Sequence, residues 1–156
     1  MLINNAGITG GRVAPPETTA ADIEAVYATN VFGVVRVTHA FLELLRASSA
    51  PVIVNVSSGL GSHVVTSDRG RVESTIQTIT YTSSKSAVNM ITAQYAKALP
   101  EIRINCVDPG YTATDLNAHS GPQTVEEGTD AIVKMARIGP DGPTGTFTDR
   151  HGTVEW

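Results

Sequence analysis

The stretch Val52-Ile53-Val54-Asn55-Val56-Ser57-Ser58 decides the fold class. Its compact, β-branched run is typical of a strand that is covered on both faces within a parallel sheet. The two serines that follow the run mark the end of that strand. Parallel strands need helical crossovers, so the stretch predicts an α/β protein.

The segments on either side of this strand have the helical periodicity expected of the crossovers in a parallel sheet. Apolar side chains recur at helical spacing from Ala21 to Leu45, which predicts one long helix that is buried along one face and ended by Pro51. A second helical pattern covers Tyr81 to Leu99. A second buried strand is predicted over Ile102 to Val107.

The last third of the chain continues this alternation. Thr124 as N-cap and Glu127 three residues later form a capping-box pattern, so a helix is expected to open here and to run to about Arg137. Short terminal strands are expected near Phe147 and Val154. Strands that alternate with helices of this length predict right-handed crossovers and a doubly wound parallel sheet with helices on both faces.

Composition excludes several classes of protein. The chain has 156 residues, a formal charge of -4 and 41% hydrophobic residues, and its apolar runs are too short to cross a bilayer. Scattered Lys and Arg residues argue against a nucleic-acid partner. The single cysteine, Cys106, excludes an internal disulfide and a site with several cysteine ligands, and we expect no metal site. A secretory signal pattern is absent, so we expect a soluble, cytoplasmic protein.

Unusual polar residues follow the apolar runs, at Asn4-Asn5-Ala6-Gly7, at Ser57-Ser58 and at Asp108-Pro109-Gly110. The carboxyl ends of parallel strands meet at one rim of the sheet, where such folds bind ligands. On the helix after the second strand, Tyr81 and Lys85 lie about one turn apart on the same face. An ammonium beside a phenol is expected to lower the phenol's pKa, which suits carbonyl and alcohol chemistry. The alternative is a surface lysine beside a half-buried tyrosine.

These motifs together resemble the short-chain dehydrogenase/reductase family from Leu2 to Phe147. The matching elements, in the family's order, are Asn4-Asn5-Ala6-Gly7, Thr29-Asn30-Val31, Val54-Asn55-Val56-Ser57-Ser58, Tyr81-x-x-x-Lys85 and Pro109-Gly110. The resemblance implies a Rossmann-type fold and an oxidoreductase that uses a nicotinamide cofactor.

The resemblance also implies a catalytic role for four residues. Tyr81 would act as general acid and base, and Ser58, rather than Ser57, would hydrogen-bond the substrate carbonyl oxygen. Lys85 would hold the ribose hydroxyls of the cofactor and lower the pKa of Tyr81. Asn30 would fix a water that relays protons to Lys85, or would merely fill a kink in a buried helix. We expect Ser58, Tyr81 and Lys85 to converge on one pocket, with Asn30 behind Lys85.

Further residues would contact the cofactor. Those implied by the resemblance, besides Tyr81 and Lys85, are Asn4, Ala6, Gly7, Pro109, Gly110 and Thr114. A side chain at Gly7 would collide with the cofactor or with the turn itself. Thr114 would reach the nicotinamide carboxamide. The alternative for Asn4, Ala6 and Gly7 is a plain turn that ends a strand.

The carbonyl-reductase branch of the family is the most similar. The features shared with it include Thr114-Asp115-Leu116-Asn117, Thr124 to Gly128, and Asp141 to Gly145. The glycines and charges of residues 59–80 predict an insertion or loop before the tyrosine helix, with a turn of helix near Val72 to Thr75. Insertions at this place border the substrate in that branch.

The family's glycine-rich TGxxxGxG turn, which binds the cofactor pyrophosphate, has no counterpart in this sequence. Gly7-Ile8-Thr9-Gly10-Gly11 imitates it, but Pro15 and Pro16 follow where a helix would be needed. We therefore interpret residues 1–156 as a single incomplete Rossmann-type domain, with the first predicted strand, Leu2-Ile3, left as an unpaired edge. The cofactor is expected from the branch to be NADP, with NAD not excluded.

Two hypotheses of function remain open. The first is a reductase that transfers hydride between NADPH and a ketone or aldehyde, a small-molecule substrate. The second is an inactive remnant or interaction module that cannot bind a dinucleotide. The sequence does not indicate the oligomeric state, the substrate or the direction of the reaction.

Overall fold

Parallel strands form the centre of the protein, in a computed structural model that describes residues 1–11 and 13–156. The strands are β1 (Leu2–Asn4), β2 (Val52–Val56), β3 (Arg103–Val107) and β4 (Phe147–Thr148), in the order β1-β2-β3-β4. Every neighbouring pair is parallel, and Leu2 pairs with Ile53, which pairs with Ile104. The predicted strand over Val52–Val56 is confirmed. β1 lies at one edge of the sheet, as predicted.

Helices cover both faces of this sheet, which confirms the predicted α/β class. The helices are α1 (Ala20–Asn30), α2 (Phe32–Arg46), α3 (His63–Ser67), α4 (Ile79–Ala98) and α5 (Val125–Ala136). On one face Ile53 and Ile104 pack with Leu45 of α2 and Ala96 of α4. On the other face Val52, Val54 and Val107 pack with Ala131 and Met135 of α5. Alternate residues of β2 therefore face opposite helix layers, which explains its unbroken apolar run.

The long helix predicted from Ala21 to Leu45 is wrong in one respect, because it is two helices that meet at Val31. Val31 has φ −113° and ψ −61°, outside the narrow range of a regular helix. Gly33 follows within the first turn of α2, and glycine is one of the usual residues at a helix kink. The hydrophobic spacing continues across the kink, so periodicity alone predicts a single helix.

The segment predicted as a loop over residues 59–80 also contains the short helix α3. Ser62 caps α3, because its hydroxyl accepts a hydrogen bond from the Val65 amide. Val65 packs against Phe147 and Val154, and the Ser62 hydroxyl donates to the carbonyl of Glu155 near the chain end. These distant contacts stabilise a helix whose valines have low helix propensity. The turn of helix predicted over Val72 to Thr75 is confirmed as a 3-10 turn.

The remaining elements agree closely with the sequence patterns. The capping box at Thr124 and Glu127 is present, and α5 ends at Ala136. The tyrosine helix begins at Ile79, two residues before the predicted start at Tyr81. Val154 lies in no strand: its amide donates to the Phe147 carbonyl beside an isolated bridge of Thr153. Among the described residues, no helix is long and apolar enough to span a membrane.

Candidate active site

The serine loop, residues Ser57–Gly61, continues directly from β2 at the carboxyl rim of the sheet. Ser57 is buried, and its hydroxyl donates to the Asn89 side-chain oxygen and to the Lys85 carbonyl on α4. Ser58 is half-buried, and its hydroxyl oxygen accepts from the Leu60 amide at 3.2 Å and contacts the Tyr81 hydroxyl. Ser58 is therefore the serine that faces the Tyr81 phenol, as predicted, whereas Ser57 fastens the loop to α4.

Tyr81 and Lys85 lie one turn apart on α4, and both face this rim. The Lys85 side chain is only 4% exposed, and its Nζ donates to the Val56 carbonyl at 2.8 Å. The same Nζ lies 5.5 Å from the centre of the Tyr81 ring. The predicted convergence of Ser58, Tyr81 and Lys85 is thus present in the structure.

The pKa of Tyr81 differs from the sequence-based expectation. Burial raises it to about 12, and the hydrogen bond from Ser58 lowers it by a smaller amount. Burial also lowers the pKa of Lys85 to about 8, against the opposing attraction of Asp108. The predicted depression of the Tyr81 pKa by Lys85 is therefore wrong for this structure, because desolvation of the phenol dominates the shift.

Asn30 lies at the end of α1 and holds the loop that follows β1. Its side-chain oxygen accepts from the Ile8 amide at 2.8 Å, and its nitrogen donates to the Ile8 carbonyl at 2.9 Å and to the Ser84 hydroxyl at 3.0 Å. A side chain at Gly7 would touch Lys85 Nζ at 3.5 Å and Asn30 Oδ1 at 3.6 Å. These are ordinary contact distances, so the turn itself would tolerate a methyl group at Gly7. Asn30 and Lys85 thus lie on either side of the same point at Gly7, and the part of Asn30 in a proton relay stays a prediction.

Asn4, the last residue of β1, contacts the helix layer through a series of side-chain hydrogen bonds. Its side-chain nitrogen donates to Asn55 at 2.8 Å and to the Thr38 hydroxyl at 3.2 Å. Asn55 in turn donates to the Thr92 hydroxyl of α4 at 2.9 Å. These hydrogen bonds link β1 and β2 to α2 and α4. The Asn4 side chain therefore braces the sheet against the helices, and its predicted contact with the cofactor stays a prediction.

The other residues predicted to contact a cofactor lie in loops at the carboxyl rim. Ala6 is exposed in the loop after β1, and Pro109 and Gly110 form a turn after β3, called here the Pro-Gly turn. Gly110 has φ +72°, a conformation that favours glycine. Thr114 opens a 3-10 turn, where its amide donates to Asn117 Oδ1 at 3.3 Å. Contact of these four residues with a cofactor stays a prediction.

Three residues that the sequence patterns left without a role also shape the site. The Asn89 side-chain amide donates to the Gly61 carbonyl at 3.2 Å and accepts from the Ser57 hydroxyl. Asn89 therefore binds both ends of the serine loop. A methyl group at Gly61 would lie 2.7 Å from the carbonyl carbon of Lys85, so the loop touches α4 directly. Asp108, which follows β3, is buried near Tyr81 and Lys85. An acidic residue directly after a buried strand was the available signal for Asp108, whereas Asn89 and Gly61 carried none.

The sequence profile described as short chain dehydrogenase matches residues 1–124. The chain belongs to this family. Its relative short-chain dehydrogenase anuI, from Penicillium roqueforti, is 40% identical over 162 residues, which cover 99% of this chain and 64% of that protein. C-signal of Myxococcus xanthus is 32% identical over 163 residues, which cover 100% of this chain and 92% of that protein.

A solved structure places the fold among those of carbonyl reductases. The NADPH-bound carbonyl reductase from chicken fatty liver superposes with a TM-score of 0.85 and 27% identity over 99% of this chain and 64% of that one. The predicted family and the likeness to carbonyl reductases are thereby confirmed. The chain spans less than two thirds of the length of both anuI and this reductase.

Proposed function

We propose that the chain is the catalytic portion of a reductase that transfers hydride between NADPH and a ketone or aldehyde. The observation that carries the proposal is the contact of the Ser58 and Tyr81 hydroxyls at the rim, with buried Lys85 one helical turn away. Two hydroxyls that meet beside a rim can be shared by one carbonyl oxygen. The reaction class follows from that pairing rather than from the fold.

In this proposal Ser58 orients the substrate oxygen and Tyr81 supplies its proton. The raised pKa of Tyr81 keeps the phenol protonated across neutral pH, which is the form a general acid needs. The Ser58 hydroxyl donates to the same oxygen as negative charge develops there. The two donors act on opposite lone pairs of one atom, so the carbonyl carbon is left open to hydride.

The nicotinamide cofactor would supply the hydride, and Lys85 has the chemistry to hold its ribose. The Lys85 ammonium lies near Gly7, which carries no side chain between this ammonium and the rim. Ala6, Gly7 and the Pro-Gly turn would border the nicotinamide, with Thr114 at its carboxamide. NADP is proposed over NAD because the similar carbonyl reductase is described as NADPH-bound. We further propose a small-molecule substrate and a cytoplasmic location.

A second candidate function is an interaction or signalling role without catalysis. The similarity to a protein named C-signal, 92% of whose length aligns with this chain, favours it. In-frame codons before Met1 that encode a strand followed by TGxxxGxG would support the reductase, and a stop codon there would support the second role.

The proposal is tested by purifying the protein encoded by the full reading frame and following NADPH oxidation with a panel of ketones and aldehydes. NADH in a parallel series tests the choice of cofactor. Activity that exceeds that of a Tyr81→Phe control supports the proposal. If the wild type never exceeds the control with any member of the panel, the reductase assignment is wrong.

A further inference from the structure

Asp108 is a buried carboxylate for which the proposed reaction has no use. It follows β3 and is only 8% exposed. Burying a carboxylate is costly unless hydrogen bonds or an opposite charge compensate. Among the described residues, the ion pairs within 4.0 Å involve other carboxylates. The compensation for Asp108 therefore comes from its hydrogen bonds.

Those hydrogen bonds join two loops that carry different halves of the proposed site. Asp108 Oδ1 accepts from the Gly110 amide at 2.9 Å, within the Pro-Gly turn. The Gly59 amide, in the serine loop, also donates to the carboxylate. A methyl group at Gly59 would lie 2.9 Å from Asp108 Oδ2, so the two are in close contact. One carboxylate thus spans the loop that orients Ser58 and the turn proposed to border the nicotinamide.

The charge of Asp108 also reaches the reacting groups of α4. It raises the pKa of both Tyr81 and Lys85 through space. From the other elements packed around it, Glu73 and Asp149 raise the pKa of Asp108 itself, although burial is the main cause. Arg71 lies near enough for attraction to Asp108. Together with Cys106, whose pKa the charge of Asp108 also raises, these are the charged and titratable groups that face the carboxylate among the described residues.

We propose that Asp108 is a positioning residue that ties the serine loop to the Pro-Gly turn and holds Ser58 and Tyr81 in line with the nicotinamide. The inference rests on the proposed reductase function. A carboxylate suits this task, because its two oxygens accept from two backbone amides at once. Its negative charge beside α4 is a second consequence of the same placement.

The loop contact is tested by a double-mutant cycle in the protein from the full reading frame. Gly59→Ala pushes a methyl group against Asp108, and we expect kcat to fall by about tenfold to a hundredfold through misplacement of the reacting groups. In an Asp108→Ala background that methyl group has room, so Gly59→Ala should cause little further loss. Losses that multiply independently in the double variant would overturn the proposal.

A pH profile separates positioning beside the reacting groups from a purely structural role. Asp108→Asn keeps an acceptor for Gly110 but removes the charge, so the alkaline limb of kcat/KM should move to lower pH. Asp141→Asn, at an exposed loop position, serves as the control and should leave the profile unchanged. An Asp108→Asn enzyme with the wild-type profile and kcat overturns the inference. A wild-type protein without any reductase activity would instead overturn the proposed function.

Discussion

Tyr81 and Lys85 lie on the same face of α4, but their replacement is expected to change turnover and cofactor affinity in different ways. Tyr81→Phe removes the proposed proton donor and leaves the Lys85 ammonium in place. Carbonyl reduction by the protein from the full reading frame should therefore fall by about a hundredfold to ten-thousandfold, which is the usual value of general acid catalysis. NADPH affinity, measured by fluorescence titration, should change little.

Lys85→Ala is the matched comparison for that variant. It removes the proposed ribose contact, so both turnover and NADPH affinity should fall. A Tyr81→Phe enzyme that keeps its turnover within a few-fold of wild type would show that Tyr81 is not the acid. Equal loss of cofactor affinity in the two variants would contradict the separate roles.

The lowered pKa of Lys85 has a consequence for stability that needs no substrate. In the folded chain this ammonium loses its proton near pH 8, whereas an unfolded lysine does so at 10.5. Between these values the unfolded chain binds the extra proton, so Lys85 contributes a rise in the free energy of unfolding with pH, by at most about 3 kcal/mol. Burial raises the pKa of Cys106 and of Tyr81, so these two groups oppose the rise, Cys106 above about pH 9.0 and Tyr81 above about pH 10.0.

Urea unfolding of the 156-residue chain at a series of pH values within that window measures the effect. Lys85→Met keeps the length of the side chain without its charge, and its unfolding free energy should lack this rise. The same slope in wild type and in Lys85→Met would mean that Lys85 is not the group responsible.

The contact of the serine loop with α4 leaves no space for a side chain at Gly61. A methyl group there would meet the Lys85 carbonyl carbon at 2.7 Å and its Cβ and carbonyl oxygen at 2.9 Å. Backbone atoms of a helix cannot move aside cheaply, so Gly61→Ala should cost about 1–3 kcal/mol in stability and should displace Ser58. Thermal unfolding and the reductase assay both report the change.

Gly139→Ala provides the control, because a methyl group at Gly139 would meet no atom within 4 Å among the described residues. Its unfolding temperature and activity should match those of the wild type. If Gly61→Ala behaves like Gly139→Ala, the loop is not fastened to α4 as the structure indicates.

The sequence predicted best those elements that are specified by neighbouring residues or by a periodic hydrophobic pattern. β2 is recognisable from its β-branched residues, and α5 from the capping box at Thr124. α3 could not be predicted, because its stability comes from Val65 packing on Phe147 far along the chain. The kink at Val31 was hidden by a hydrophobic pattern that continues through it.

The sequence predicted which side chains meet at the rim but not their electrostatics. Motif order identified Ser58, Tyr81 and Lys85, and the structure brings these three together. The pKa of Tyr81 depends on how deeply the phenol is buried, which no local pattern records. The bridge that Asp108 makes between two loops likewise depends on the pairing of strands in the sheet, since its partners Gly59 and Gly110 follow β2 and β3.

At the level of the whole chain, our proposal assigns residues only to the nicotinamide side of a dinucleotide site. The sequence has no glycine-rich turn for the pyrophosphate, so the 156-residue chain should bind NADPH weakly or not at all. Calorimetric titration of the purified chain measures this. Micromolar or tighter binding would show that the dinucleotide site has been misplaced.

The parallel pairing of the sheet also governs how the chain can fold. Leu2 pairs with Ile53, and Ile53 pairs with Ile104, so no two neighbouring strands are close in sequence. Each pairing has to wait for an entire crossover, and such non-local contacts make folding slow. During synthesis the apolar residues of β2 must therefore remain unpaired with β3 until α4 has been made. The ribosome will have released most of the chain before its central strand is protected from other chains.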